Sequence, residues 1–257
     1  MQLQDILYSQ GFGTRRVCAG LIQQDMVEVY ESREATSPTR QTESACEYQA
    51  QGLRFRVQGV DWEYREKAYL MLHKPAGTEC SQKPSTWPSI YTLLPSPLRL
   101  RPQKSAVQGV QAVGRLDQDT TGLLLLSDDG HFIHRMSSPK KHLPKVYDIT
   151  TKHALDERQV AKLLEGVVLD DSPKPVRAAA CEITDKSDNQ DGGFTHLQMT
   201  LTEGKYHQVK RMLAAVGNRV ESLHRSRIGA LELPADLLPG QWRWLSESDL
   251  QKLSSAT

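Results

Sequence analysis

Hydrophobic and polar positions along this 257-residue chain change their period several times, and each change marks an element. Leu3, Ile6 and Leu7 recur at helical spacing. Gly11-Phe12-Gly13 breaks that pattern, and Thr14 stands where it can cap a second helix over Arg15 to Gln24, with Val17, Leu21 and Ile22 apolar. Met26 to Tyr30 alternates like a short strand, Ser32 to Ala45 is polar and loop-like, and Leu53 to Val57 alternates again, with Arg54 and Arg56 sharing a face. Trp62 to Lys67 reads as a charged linker, and a new strand opens at Ala68 to Leu72. The chain therefore divides into a small module, residues 1–64, and a larger domain, residues 65–257.

The most distinctive stretch of the larger domain runs from Gly114 to Gly130. Leu123 to Leu126 is too short for a surface helix and reads as a strand buried on both faces, closed by the turn Asp128-Asp129-Gly130. Asp117 sits just before it in a Gly-flanked turn, so one carboxylate stands at the mouth of a rigid element. Taken alone, such a residue more often caps its own backbone. Ser81 to Gln108, with five prolines, reads as a long excursion. Asp185 to Gly193 is a polar, Gly-ended loop between strands. A later strand ends at Glu203-Gly204 and a helix follows from His207-Gln208; Ser246 is placed to cap a final helix.

Charge changes the picture through its distribution. The formal net charge is only +1. Yet His131 to Tyr147 carries Arg135, Lys140, Lys141 and Lys145 with three histidines and no acid, and Gly204 to Arg227 carries six basic residues against Glu221 alone. Two such fields flanking a suspected site suit a phosphate backbone, although either alone reads as a solvated face. No apolar run is long enough to cross a membrane, and the N-terminus lacks the basic and apolar regions of a secretory signal. Cys18, Cys46, Cys80 and Cys181 are too scattered for a zinc knuckle or a disulfide framework, which fits a reducing cytoplasm.

The string Gly114-Arg115-Leu116-Asp117, then Thr120 and Gly122, then a Leu-rich run and Asp129-Gly130, resembles the catalytic motif of the ribosomal pseudouridine synthases. Three further segments are similar to that family: His73-Lys74-Pro75-Ala76-Gly77, Lys145-Val146-Tyr147, and Lys205 to Gly217 with Lys210-Arg211. Leu223-His224-Arg225, Arg227-Ile228-Gly229 and Pro239-Gly240-Gln241-Trp242-Arg243 resemble its small-subunit branch. The small module resembles an αL-type, S4-like RNA-binding domain, with Arg15 and Arg16 at the start of the second helix. It departs from that pattern in charge, with seven Arg or Lys against ten Asp or Glu up to residue 66, a net of −3.

The resemblance implies an α+β fold: the S4-like module followed by a catalytic domain built on a mixed, largely antiparallel sheet. It implies conversion of a uridine to pseudouridine in small-subunit (16S) ribosomal RNA, as naked RNA or in an assembly intermediate. Asp117 is then the catalytic nucleophile, Tyr147 lies against the base, and Lys210 pairs with Asp117. Arg115, Arg15, Arg16, Lys74 and Arg211 are the expected RNA contacts. No metal or cofactor is expected, nor a membrane; a cytoplasmic monomer is. The same reaction on large-subunit rRNA and a non-catalytic RNA-binding assembly factor stand as alternatives. A zinc-dependent base deaminase lacks its ligands.

Overall fold

The computed structural model describes residues 1–103, 107–138, 142–170, 172–186 and 195–254. Lys140 and Lys141 of the basic stretch, residues 104–106 of the excursion and 187–193 of the polar loop lie outside the described residues. The chain forms two compact units, and no helix among the described residues is long and apolar enough to cross a membrane.

The first unit joins residues 1–69 with 94–111 and 126–130, so it extends past residue 64 and draws in two distant segments. It opens with α1 (Leu3–Gln10) and α2 (Arg15–Gln23), followed by a four-stranded sheet of β1 (Val27–Val29), β2 (Thr39–Arg40), β3 (Arg54–Val57) and β4 (Val60–Glu63) in the order β2-β1-β3-β4. Thr14 caps α2 as its position predicts, its hydroxyl accepting the Val17 amide. Leu3, Ile6, Leu7, Cys18, Ile22, Val27, Val29, Phe55 and Val57 form the core. Two expectations fail in this unit. The polar stretch 32–45 contains β2, and part of the supposed linker from Trp62 is β4, which pairs with β3 through Phe55 and Trp62. β2 is exposed and has no apolar face to signal it, whereas β4 does alternate, Val60 and Trp62 against Asp61 and Glu63, but over only four residues that run into the charged stretch after it.

The larger unit is built on one sheet. Its strands are β5 (Tyr69–Lys74), β6 (Gln111–Ala112), β7 (Thr121–Ser127), β8 (Lys145–Thr151), then β11 (Ala180–Lys186), β12 (Thr195–Leu201), β13 (Val220–Ile228), β14 (Leu231–Glu232) and β15 (Trp242–Trp244), with β9 (Val167–Leu169) and β10 (Ser172–Val176) as a separate hairpin. The main order is β11-β12-β8-β13-β7-β5-β15. The pair β13–β7 is parallel, whereas β11–β12, β12–β8, β13–β8 and β15–β5 are antiparallel, so the sheet is mixed and largely antiparallel. The helices of this unit are α4 (Gly130–Ser137), α5 (Glu157–Glu165), α6 (Gln208–Ala215) and α7 (Glu247–Ser254), while α3 (Ser96–Leu100) belongs to the first unit. β7 is central and buried from Gly122 onward, as its four leucines predict.

Two glycines make close approaches possible. Gly11, at φ 91°, ends α1 where a Cβ would run into the backbone of Pro97 and Arg101. Gly122, at φ 108°, lets β7 pass against the Arg225 backbone, where a Cβ would meet its carbonyl. The 81–108 excursion is more ordered than its composition suggests. The Glu79 carboxylate accepts the amides of Ser85, Thr86 and Trp87 and the Ser85 hydroxyl, and these bonds pull its pKa down to about 2. A 3₁₀ turn over Ile90–Leu93 and α3 follow, the latter packed within the first unit.

Candidate active site

Asp117 stands in the loop between β6 and β7, and the loop is held from beneath. The Lys74 ammonium, at the end of β5, donates to the carbonyls of Pro75 (3.0 Å), Gln118 (3.2 Å) and Thr120 (2.9 Å). Gly77 adds an amide to the Gln118 carbonyl at 2.8 Å. Lys74 is fully buried, and burial lowers its pKa. This corrects its expected role as an RNA contact. An amine spent on three backbone carbonyls and shut off from solvent shapes the loop and does not reach a ligand.

Above the loop, α6 and its N-cap bring Lys210 and His207 to the carboxylate. Lys210 Nζ lies 3.3 Å from Asp117 Oδ2, and His207 Nε2 lies 3.3 Å from Asp117 Oδ1. The shorter partner of Lys210 is Asp119, at 2.7 and 2.9 Å. Burial pushes Asp119 upward, but the Lys210 hydrogen bond and charge outweigh it and the carboxyl falls below its usual value. Lys210 is raised in turn: burial lowers it, and the two aspartates more than reverse that. His207 caps α6 in the left-handed region at φ 48°, an unusual conformation for a side chain larger than glycine, and its ring stacks on Tyr206 at 3.8 Å. That backbone turns the imidazole toward Asp117.

The sheet provides the floor. Tyr147 on β8 is 8 % exposed and lies directly across from Arg225 on β13. With Arg115, Asp117, Lys145 and Lys205 they line a pocket of about 250 Å³. The structure thus brings Asp117, Tyr147 and Arg115 to one pocket, with Lys210 reaching it through Asp117. Arg211 is half-buried, its guanidinium donating to the Tyr206 carbonyl at 3.2 Å. Arg15 and Arg16 are exposed on α2 of the first unit, Arg15 paired with Asp5 at 2.6 Å and lying over the Tyr8 ring.

Sequence reasoning missed Asp119, His207, Lys145 and Arg225. His207 and Lys145 lay inside motifs already noted, and Arg225 inside Leu223-His224-Arg225. Their signal was present, but only strand register and helix phase show that they converge. Among the described residues no group of three or more His, Cys, Asp or Glu could hold a metal ion.

Residues 68–215 match the RNA pseudouridylate synthase family. The chain belongs to that family. The synthase is 40 % identical over 188 residues to the ribosomal small subunit pseudouridine synthase A of Haemophilus influenzae, covering 73 % of this chain and 74 % of that protein. It is 35 % identical over 260 residues to an RNA pseudouridine synthase of Bacillus subtilis, covering 99 % and 98 %. A crystal structure of a pseudouridylate synthase superposes with a TM-score of 0.63 at 32 % identity, covering 98 % of this chain and 99 % of that one. The enzyme therefore isomerises uridine in RNA, and Asp117 and Tyr147 fall inside the matched segment, while Leu223, Arg225 and Ile228 of the pocket lining lie beyond it.

Proposed function

We propose that the synthase converts a specific uridine of small-subunit ribosomal RNA to pseudouridine, with Asp117 as nucleophile. The observation that carries the reading is the pocket itself. It joins one accessible carboxylate, flanked by Lys210 and His207, to a buried tyrosine within the segment shared with enzymes of this reaction. The small-subunit assignment rests on several relatives named ribosomal small subunit pseudouridine synthase A.

The reaction breaks the bond from ribose C1′ to N1 of the uracil, rotates the base, and joins C1′ to C5. The C5 proton leaves and N1 regains one, with no redox change. Asp117 supplies the nucleophilic oxygen and Lys210, 3.3 Å away, directs that carboxylate. Tyr147 stacks on the base, its apolar body against the ring. The target nucleotide leaves its stack to enter, at a cost of a few kcal/mol. Arg115, exposed at the pocket mouth, fills the space left or meets a flanking phosphate. Residues 1–64 act as an S4-like RNA-binding domain through Arg15 and Arg16, with 65–257 catalytic and Arg211 as a further RNA contact. The enzyme works in the cytoplasm as a monomer.

The test is pseudouridine mapping, by carbodiimide adduct and primer extension, on both rRNAs from cells with and without the gene. The expected outcome is loss of one stop on the small-subunit rRNA. A stop lost only from large-subunit rRNA overturns the target; no change in either overturns the rRNA assignment.

A further inference from the structure

Two cations on the pocket floor are not used by the reading above. Arg225 is 3 % exposed, its Nε donates to the Leu123 carbonyl at 2.8 Å, and its Nη2 makes no hydrogen bond among the described residues. The Thr120 hydroxyl, 1 % exposed in the same lining, is equally unsatisfied. A buried donor without a partner is destabilising and persists where a ligand completes it. Lys145, on the same face of β8 as Tyr147, is half-buried in the same lining, one of its three donors spent on the Leu143 carbonyl at 3.0 Å and the other two left for a ligand. Burial first, then the positive charge of Arg225, pushes its pKa down to about 8. Two like charges brought together in a poorly solvated floor repel each other unless an anion comes between them.

We propose that Arg225 and Lys145 bind the O2 and O4 edge of the uracil and stabilise the negative charge it carries while it is detached from the ribose. This rests on the reading that the base stacks on Tyr147. When C1′–N1 breaks, the electron pair passes to the ring and spreads over the two carbonyl oxygens. If Asp117 first adds to C6 of the ring, the enolate charge lies on O4, and O2 takes up the charge when C1′–N1 then breaks, so the same edge is engaged by either route. Depth decides between base and phosphate. A phosphate stays on a strand that must run out to solvent, past exposed Arg115 and half-buried Lys205, whereas Arg225 on the floor meets what enters deepest. Since Arg225 and Tyr147 are directly opposed on adjacent strands, a ring lying on the phenol presents its edge to the guanidinium. Donors fixed before the charge appears stabilise it most effectively.

The experiment is single-turnover pseudouridine formation on transcribed small- and large-subunit rRNA, with RNA binding and melting temperature measured on the same proteins. Lys145→Gln and Arg225→Lys should slow the chemical step about 100-fold, the loss seen when one such donor is removed, while RNA affinity stays within about threefold. Lys145→Arg should restore most of the rate. The wild-type rate should decline as pH rises past about 8, where Lys145 loses its proton. In Lys145→Arg that limb should vanish, since arginine keeps its charge. Arg225, Arg115, Asp117, Glu203, Lys205 and His207 face the same pocket and are common to both proteins. Unchanged rates in Lys145→Gln and Arg225→Lys, or affinity lost in proportion with the chemical step intact, would overturn the proposal. Absence of turnover by the wild type on every RNA would instead overturn the proposed function.

Discussion

Two carboxylates of this chain meet cations in opposite ways. Asp128, in the first unit, is buried with Arg101, their side chains 5 % and 3 % exposed. Its Oδ2 accepts Arg101 Nε at 2.6 Å and its Oδ1 the Ala68 amide at 2.7 Å. The rest of the guanidinium is spent on Gln10 Oε1 and on the carbonyls of Arg65 and Glu66. Asp117, in the second unit, is about a quarter exposed and reaches Lys210 and His207 only at 3.3 Å. The first arrangement is closed: every guanidinium nitrogen has a protein partner, and any disturbance leaves a buried charge behind. The second leaves its carboxylate lightly held and open to the pocket. The difference separates a charge pair that ties distant segments together from one whose carboxylate stays accessible, and it lies in satisfaction and exposure, not in residue type.

The comparison breaks first at the closed pair. Asp128→Ala strands Arg101 in the interior and should lower unfolding free energy by about 3–5 kcal/mol, followed by urea denaturation. Replacing both partners with apolar residues should recover most of that loss. A drop below about 1 kcal/mol would place Asp128 among ordinary exposed pairs. The open pair should show the reverse profile. Lys210→Gln should leave the melting temperature near wild type and slow single-turnover isomerisation about 100-fold, as loss of a preorganised charge does. The smallest effect belongs to Asp119→Asn. Asp119 takes the short bonds from Lys210 but is half-exposed, so its loss should change the rate by less than about fivefold, the worth of an exposed pair. A larger effect than that of Lys210→Gln would make Asp119 the carboxylate that matters.

Local pattern explains what could be read in advance. α1, α2 and β7 declare themselves through spacing, a capping Thr14 and four successive leucines, and the structure has all three. The open pair was legible as well, because Asp117 and Lys210 lie in motifs long enough to carry their own context. The closed pair was not. Asp128 read as part of a turn and Arg101 as part of a proline-rich excursion, and only folding brings residues 27 positions apart into one buried network with Gln10. Lys74 was misread for a related reason: a lysine beside Pro75 gives no sign that three carbonyls will close over it. β2 escaped because two exposed polar residues carry no pattern, and β4 because its alternation spans only Val60 to Glu63 at the edge of a charged stretch. Burial of charge is a property of the whole fold, whereas periodicity and caps are properties of a short segment.

The central claim is that Asp117 performs the chemistry, and the most direct test is single-turnover pseudouridine formation by Asp117→Asn on the rRNA modified by the wild type. The change is nearly isosteric and removes the nucleophilic charge. The account predicts no detectable product, with melting temperature and RNA affinity close to wild type. Product formed at a measurable rate by a folded, RNA-binding Asp117→Asn protein would contradict it.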